Sequence, residues 1–147
     1  MPQTISTTIT IQASANKVWT VLTNFETYPI WNPFIKLIEG DIKVGHTFKA
    51  IIHAPNNKPM VFKPRVLVFT PTKEFKWIGH LWIKGLFDGE HRFELLENSD
   101  GSTTFIQSEK FTGLLVPLFK SMLEKDTLEG FRLMNEALKK RVEALGS

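Results

Sequence analysis

Acid–base chemistry needs an imidazole or carboxylate held beside a partner and away from bulk water, and His91 with Glu109 is the pairing this chain offers. His91 lies in DGEHRFELL, residues 88–96, which alternates as a β-strand does. It falls in phase with Phe93 and Leu95, on what should be the buried side. Downstream, ENSDGST holds Ser99, Asp100 and Gly101, the composition of a three-residue hairpin loop whose last residue is left-handed. Such a loop pairs Asn98 with Ser102. Counting back, Leu95 faces Phe105, Phe93 faces Gln107 and His91 faces Glu109, and all of these share one face. Glu90, Arg92, Glu94, Ile106, Ser108 and Lys110 take the other, mostly polar face. A slip of one residue would reverse every assignment. A carboxylate on an apolar face must be paired, hydrogen-bonded or hydrated. The functional reading is a polar station in an apolar cavity, orienting a ligand or moving a proton. The structural reading is a self-satisfied pair that anchors two strands, with a further bond from the backbone near Thr112 or Gly113.

Composition narrows the function classes. The 147 residues fit one domain, residues 1–147, with a sizeable core. Cysteine is absent, which excludes disulfides, thiolate zinc sites and cysteine nucleophiles. That usage suits a reducing compartment. The start MPQTISTTITIQ has neither a basic n-region nor an apolar h-region, so a cytoplasmic location is expected. No apolar run approaches the about 20 residues of a membrane span, so stable membrane insertion is not expected. Net charge is +3 with scattered lysines, and Lys139, Lys140 and Arg141 sit near a helix end where cations suit the macrodipole. No nucleic-acid partner is expected. The histidines His46, His53, His80 and His91 show no HxH or HExxH spacing, so no metal is expected. GxSxG, P-loop and GxGxxG patterns are also missing, and no cofactor is expected.

The elements that must position His91 and Glu109 follow from periodicity. Ile5, Thr7, Ile9 and Ile11 alternate with polar residues as a half-buried strand. Ser14 is placed to N-cap a helix over Ala15–Leu22 with Val18, Trp19 and Leu22 on its apolar side. Pro29 and Pro33 limit a second helix to about Glu26–Trp31. Strands are then predicted over His46–Ala54, Met60–Thr70, Lys73–Ile83, Phe87–Glu97 and Thr103–Phe111, after one starting near Phe34. From Val116 to Leu145 the spacing is helical, with Pro117 in the first turn and Gly146 as a stop. Together these predict an α+β fold: a curved antiparallel sheet of roughly six or seven strands, two short helices after the first strand, and a long C-terminal helix across the concave side.

Three stretches, ASANKVWTVLTNFETYPIWNPFI, FKPRVLVFTPTKEFKWIGHL and GLFDGEHRFELLENSDGSTTFIQSEKFTGLLVPL, resemble the START-like helix-grip superfamily, also called SRPBCC. The resemblance covers nearly the whole chain and extends to its polyketide cyclase/dehydrase and lipid-transport members. It implies a small-molecule cavity between sheet and helix, used by most members for binding and by a minority for cyclisation, dehydration or hydrolysis. Fold alone does not choose between these.

Further candidates follow on that frame. In the fold it resembles, YPIWNPF borders the cavity mouth; Tyr28 suits an aromatic rim and Trp31 a plug between helices and sheet. In FKWIGHLWIKGLF, Trp77, Gly79 and Leu81 share the inward phase, and Gly79 marks a bend or a close approach to the backbone. His80 and Trp82 then face out, where Trp82 suits a homodimer contact or cover by a loop. Phe93, Gln107 and Phe111 join them on the inward face. On the long helix, Phe119, Met122, Leu123, Phe131 and Met134 would form an adaptable lid. Gly130 among good helix formers marks either tight packing or volume left for a ligand. Two functions fit: a carrier or sensor for a hydrophobic or amphipathic small molecule, and a cyclase/dehydrase-type enzyme in which His91 moves the proton and Glu109 holds or balances it.

Overall fold

The computed structural model describes residues 3–81 and 83–145; Trp82 and Gly146 lie outside the described residues. In chain order the elements are β1 (Gln3–Ile11), α1 (Ala15–Leu22), a 3-10 turn (Phe25–Thr27), α2 (Tyr28–Trp31), β2 (Ile35–Glu39), β3 (Lys49–Ile52), β4 (Met60–Phe62), β5 (Arg65–Thr70), β6 (Glu74–Leu81), β7 (Phe87–Glu97) and β8 (Thr103–Thr112). The chain closes with α3 (Val116–Met122), a π-helical segment (Leu123–Thr127) and α4 (Leu128–Ala144), which run on without a break. Ser14 caps α1 as its sequence position suggests, its Oγ accepting from the Lys17 amide at 3.2 Å.

The strands divide into a five-stranded sheet, β1-β8-β7-β6-β5, and a three-stranded sheet, β2-β3-β4. The single layer expected from the sequence is therefore two. Pro64 is the cause: it cuts the Met60–Thr70 run, separating β4 from β5. The sheets remain joined. Residues 45–48 lie along the free edge of β5, with Gly45 N donating to Val66 O, Val66 N to His46 O and Phe48 N to Pro64 O at 2.9, 2.9 and 3.0 Å. They lead straight into β3, so the two sheets wrap one interior.

The hairpin register is the one counted from the loop. Asn98 N donates to Ser102 O at 2.7 Å, and Gly101 has φ +88°. His91 pairs with Glu109, Phe93 with Gln107 and Leu95 with Phe105. The inward phase of β7 is buried from Phe87 to Leu95, while Glu90, Arg92 and Glu94 are only partly covered. On that outer face Arg92 bonds Glu74 and Glu94, and Lys76 pairs with Glu90.

The long helix buries Phe131, Met134, Leu138 and Val142 against β1 and β8. At Gly130 the helix meets Phe34: a Cβ there would overlap the Phe34 ring. Phe34 is aimed by Asn32, whose Oδ1 accepts from the amides of Phe34 and Ile35 at 2.9 and 2.8 Å. The glycine thus serves close packing and leaves no ligand volume. Tyr28 is fully buried, its hydroxyl donating to the Leu22 carbonyl, between Phe25 and Trp31.

Two stability measurements test this packing. Ala is a better helix former than Gly by about 1 kcal/mol. Gly130→Ala is nevertheless expected to lose about 1–3 kcal/mol in urea unfolding at unchanged m, because Phe34 must move. Phe34→Leu added to it should recover part of the loss. Burial pushes the Tyr28 phenol well above its usual range. Its stabilising share is therefore complete below about pH 10 and falls above it, because only the unfolded chain releases the proton there. Tyr28→Phe should flatten the alkaline limb of stability against pH relative to the unsubstituted chain.

Candidate functional site

The sheet's concave side is filled along one half only. Toward α1 and α2, Phe75, Trp77, Phe93 and Phe105 pack ring against ring, with Phe93 stacked on Phe105 at 5.7 Å. Toward the other end a pocket of about 300 Å³ remains, between β3, β4, β6, β7, β8 and the helix from Phe119 to Thr127. Its floor is bare backbone: Gly79 and Gly89 are direct cross-strand partners in β6 and β7, and both line it. A Cβ on Gly79 would make only ordinary contacts, whereas one on Gly89 would fall on the Glu109 carboxylate. Glu109 is thus laid over Gly89, and without that glycine it could not lie there.

His91 forms the boundary between the filled half and the pocket. Its ring stacks on Trp77 at 4.6 Å and 7°, and Phe131 meets it edge-on at 5.1 Å. Its side chain is 1% exposed, that of Glu109 15%. Nδ1 faces Glu109 Oε1 at 3.0 Å, and Nε2 faces Gln107 Oε1 at 3.0 Å. A chain of bonds continues from there. Gln107 Nε2 donates to the Phe131 carbonyl at 3.4 Å and to Asn135 Oδ1 at 2.8 Å. Asn135 Nδ2 donates to Thr7 Oγ1 at 2.8 Å, and the Thr7 hydroxyl donates to the Gln107 carbonyl at 3.2 Å. The polar pair is therefore satisfied through β1 and α4, and not by the backbone near Thr112 or Gly113 expected from the sequence. Bonds to both His91 nitrogens are what permit the ring in an apolar interior, while Glu109 keeps its second oxygen toward the pocket.

Of the residues picked from the sequence, Trp77, Gly79, Leu81, His91, Glu109, Phe111, Phe119, Met122 and Leu123 border the pocket. Others do not, each for a physical reason. Tyr28 is sealed under α1 rather than standing at a rim. Trp31 packs on Tyr28 and donates to Thr27 Oγ1 at 3.1 Å, as a plug. Phe93 belongs to the filled aromatic half, Gln107 to the bonded chain behind His91, Met134 to the buried face of α4, and Gly130 is occupied by Phe34. The wall also includes Ala50, Ile52 and Ala54, whose small inward phase was visible in KAIIHA, and Gly89, whose place in the phase of His91 was visible in DGEHR. Thr7 was visible only as a hydroxyl in the apolar phase of β1, and Asn135 carries no local signal. At the mouth, Asn56 and Asn57 of the β3–β4 loop donate to Asp126 in the π-helical segment at 3.3 and 3.1 Å. Among the described residues no cluster of three or more His, Asp or Glu is arranged to hold a metal ion, and no helix is long and apolar enough to cross a membrane.

The profile of the family described as "Polyketide cyclase / dehydrase and lipid transport" matches residues 2–143. Solved structures of similar fold include the ZhuI aromatase/cyclase from Streptomyces sp. R1128, at 14% identity and TM-score 0.77 over 97% of this chain and 94% of that one. A START superfamily protein from Mycobacterium smegmatis aligns at 22% identity and TM-score 0.74 over 97% and 98%. Norcoclaurine synthase from Thalictrum flavum, in complex with dopamine and hydroxybenzaldehyde, aligns at 17% identity and TM-score 0.75 over 100% and 90%. No curated protein matches the sequence.

Gln107→Leu tests the bonded chain. It leaves His91 Nε2 and Asn135 Oδ1 without partners while Nδ1 keeps Glu109, and each buried orphan costs about 1–3 kcal/mol. Chemical denaturation should show a loss of that size, while a partly covered outer-face change such as Ser108→Ala stays within about 0.5 kcal/mol.

Proposed function

Because the chain belongs to the polyketide cyclase/dehydrase and lipid-transport family, we propose that it encloses a small apolar or amphipathic molecule between its curved sheet and C-terminal helix, as a carrier or sensor. The observation that carries this reading is the pocket over Gly79 and Gly89, walled by Trp77, Phe111, Phe119 and Met122 with Glu109 on its floor. A lining that is mostly apolar with a few convergent polar groups is the usual form of a ligand site. Burial of about 25 cal/mol per Å² of apolar surface would supply most of the affinity. The volume, about 300 Å³, lies at the low end for such sites and suits a compact molecule of one to three rings better than a long acyl chain. That the norcoclaurine synthase structure holds two small aromatic molecules in the same fold supports the same size class.

A second reading is a cyclase/dehydrase-type enzyme, favoured by one observation: the His91–Glu109 pair borders the pocket rather than lying wholly behind its wall.

Native mass spectrometry of the protein purified from its own host is expected to show a bound small molecule, lost on denaturation. A Gly79→Val chain, whose side chain enters the pocket from a strand position that favours β-branched residues, should fold at least as stably yet purify without it. Equal occupancy in both chains would count against this pocket. Returned to the unsubstituted protein, the released compound should keep its mass if the protein is a carrier and change it if the protein is an enzyme.

A further inference from the structure

The direction of every bond behind His91 can be assigned from its two fixed ends. The Thr7 hydroxyl has one proton, and the Gln107 backbone carbonyl can only accept it. Thr7 Oγ1 must therefore accept from Asn135, which places the Asn135 amide nitrogen toward Thr7 and its oxygen toward Gln107. The Gln107 amide nitrogen must then face Asn135, as the Phe131 carbonyl also requires. That leaves Gln107 Oε1, an acceptor, against His91 Nε2. Nε2 must carry a hydrogen. The remaining proton of the pair lies on the line between Nδ1 and Glu109 Oε1.

Either placement of that proton has the same consequence at the pocket. On Nδ1, it leaves Glu109 a carboxylate, and Oε2 is an acceptor. On Oε1, it leaves Oε2 as the carbonyl oxygen of a carboxylic acid, again an acceptor. Oε2 is the oxygen over Gly89, and no donor among the described residues bonds it. Of the remaining polar residues on the wall, Asn57 is engaged with Asp126 and the Pro55 carbonyl, Lys58 is exposed in the mouth loop, and the Thr127 hydroxyl can donate or accept.

We infer that the pocket selects molecules bringing an O–H or N–H donor to Glu109 Oε2, and that His91 is a positioning residue rather than the group that meets the ligand. This inference rests on the pocket reading and reverses the roles expected from the sequence, where His91 moved the proton. His91, with both ring nitrogens bonded and its faces covered by Trp77 and Phe131, holds Glu109 over Gly89 in its acceptor state.

Calorimetric titration with 2-naphthol and with 2-methoxynaphthalene tests it, since the two share a ring system and differ in the donor. The unsubstituted protein should bind 2-naphthol about three- to tenfold more tightly, the scale of one net hydrogen bond. Glu109→Ala should bring the ratio to about one while still binding both. His91→Gln should narrow the ratio, a change that a purely structural role would not produce at constant fold. Independently of any variant, the ¹⁵N–¹H spectrum of histidine-labelled protein should show a slowly exchanging Nε2–H that vanishes in His91→Gln. Equal affinities, or an unprotonated Nε2 at His91, would overturn the inference and leave the pocket reading standing. Failure of both probes to bind would overturn the pocket reading and this inference with it.

Discussion

Two glycines facing each other on adjacent strands are the constraint on which the rest of the site depends. A sheet that bends around a helix encloses more space than one helix face can fill, and side chains normally take up the remainder. Here Gly79 and Gly89 leave a patch of the concave face without side chains. One of the two missing Cβ positions is taken by the Glu109 carboxylate, and the other stays open. Any side chain at 89 would expel the carboxylate, and the pair with His91 could not form in its present geometry.

Around that patch the interior is partitioned rather than uniformly loose. The aromatic half, from Phe105 through Phe93 to Phe75 and Trp77, is packed ring on ring and carries the usual burden of a core. His91 ends that half. It is an aromatic ring in its stacking on Trp77 and a hydrogen-bonding group at its edge, so it can close a hydrocarbon layer and open a polar one. The bonds from Gln107 to Asn135 and Thr7 then tie β8 to α4 and β1. A polar chain with every member satisfied defines the helix position more narrowly than apolar contact does.

The helix contributes its own adjustment. It passes the pocket as a π-helical segment, and Leu123 and Thr127 from that segment line the wall. The same segment offers Asp126 to the asparagines of the β3–β4 loop, so the mouth and the lid are held by one stretch of chain. The small sheet, set apart by Pro64, supplies the opposite wall through Ala50, Ile52 and Phe62.

What the sequence determined by itself is what local geometry dictates. A three-residue loop ending in Gly101 sets the β7–β8 register, and strand alternation then puts His91 and Glu109 side by side on the inward face. The same logic located the Ser14 cap, the long terminal helix and the inward phase of Trp77, Gly79 and Leu81. What only the tertiary structure decided is which groups meet across layers. Tyr28 lies sealed under α1, Gly130 receives Phe34, and His91 is answered by Gln107 with Asn135 and Thr7 behind it. The Asn135–Thr7 bond joins residues 128 positions apart, and strand parity says which face a side chain takes but not what a helix crossing that face will set against it.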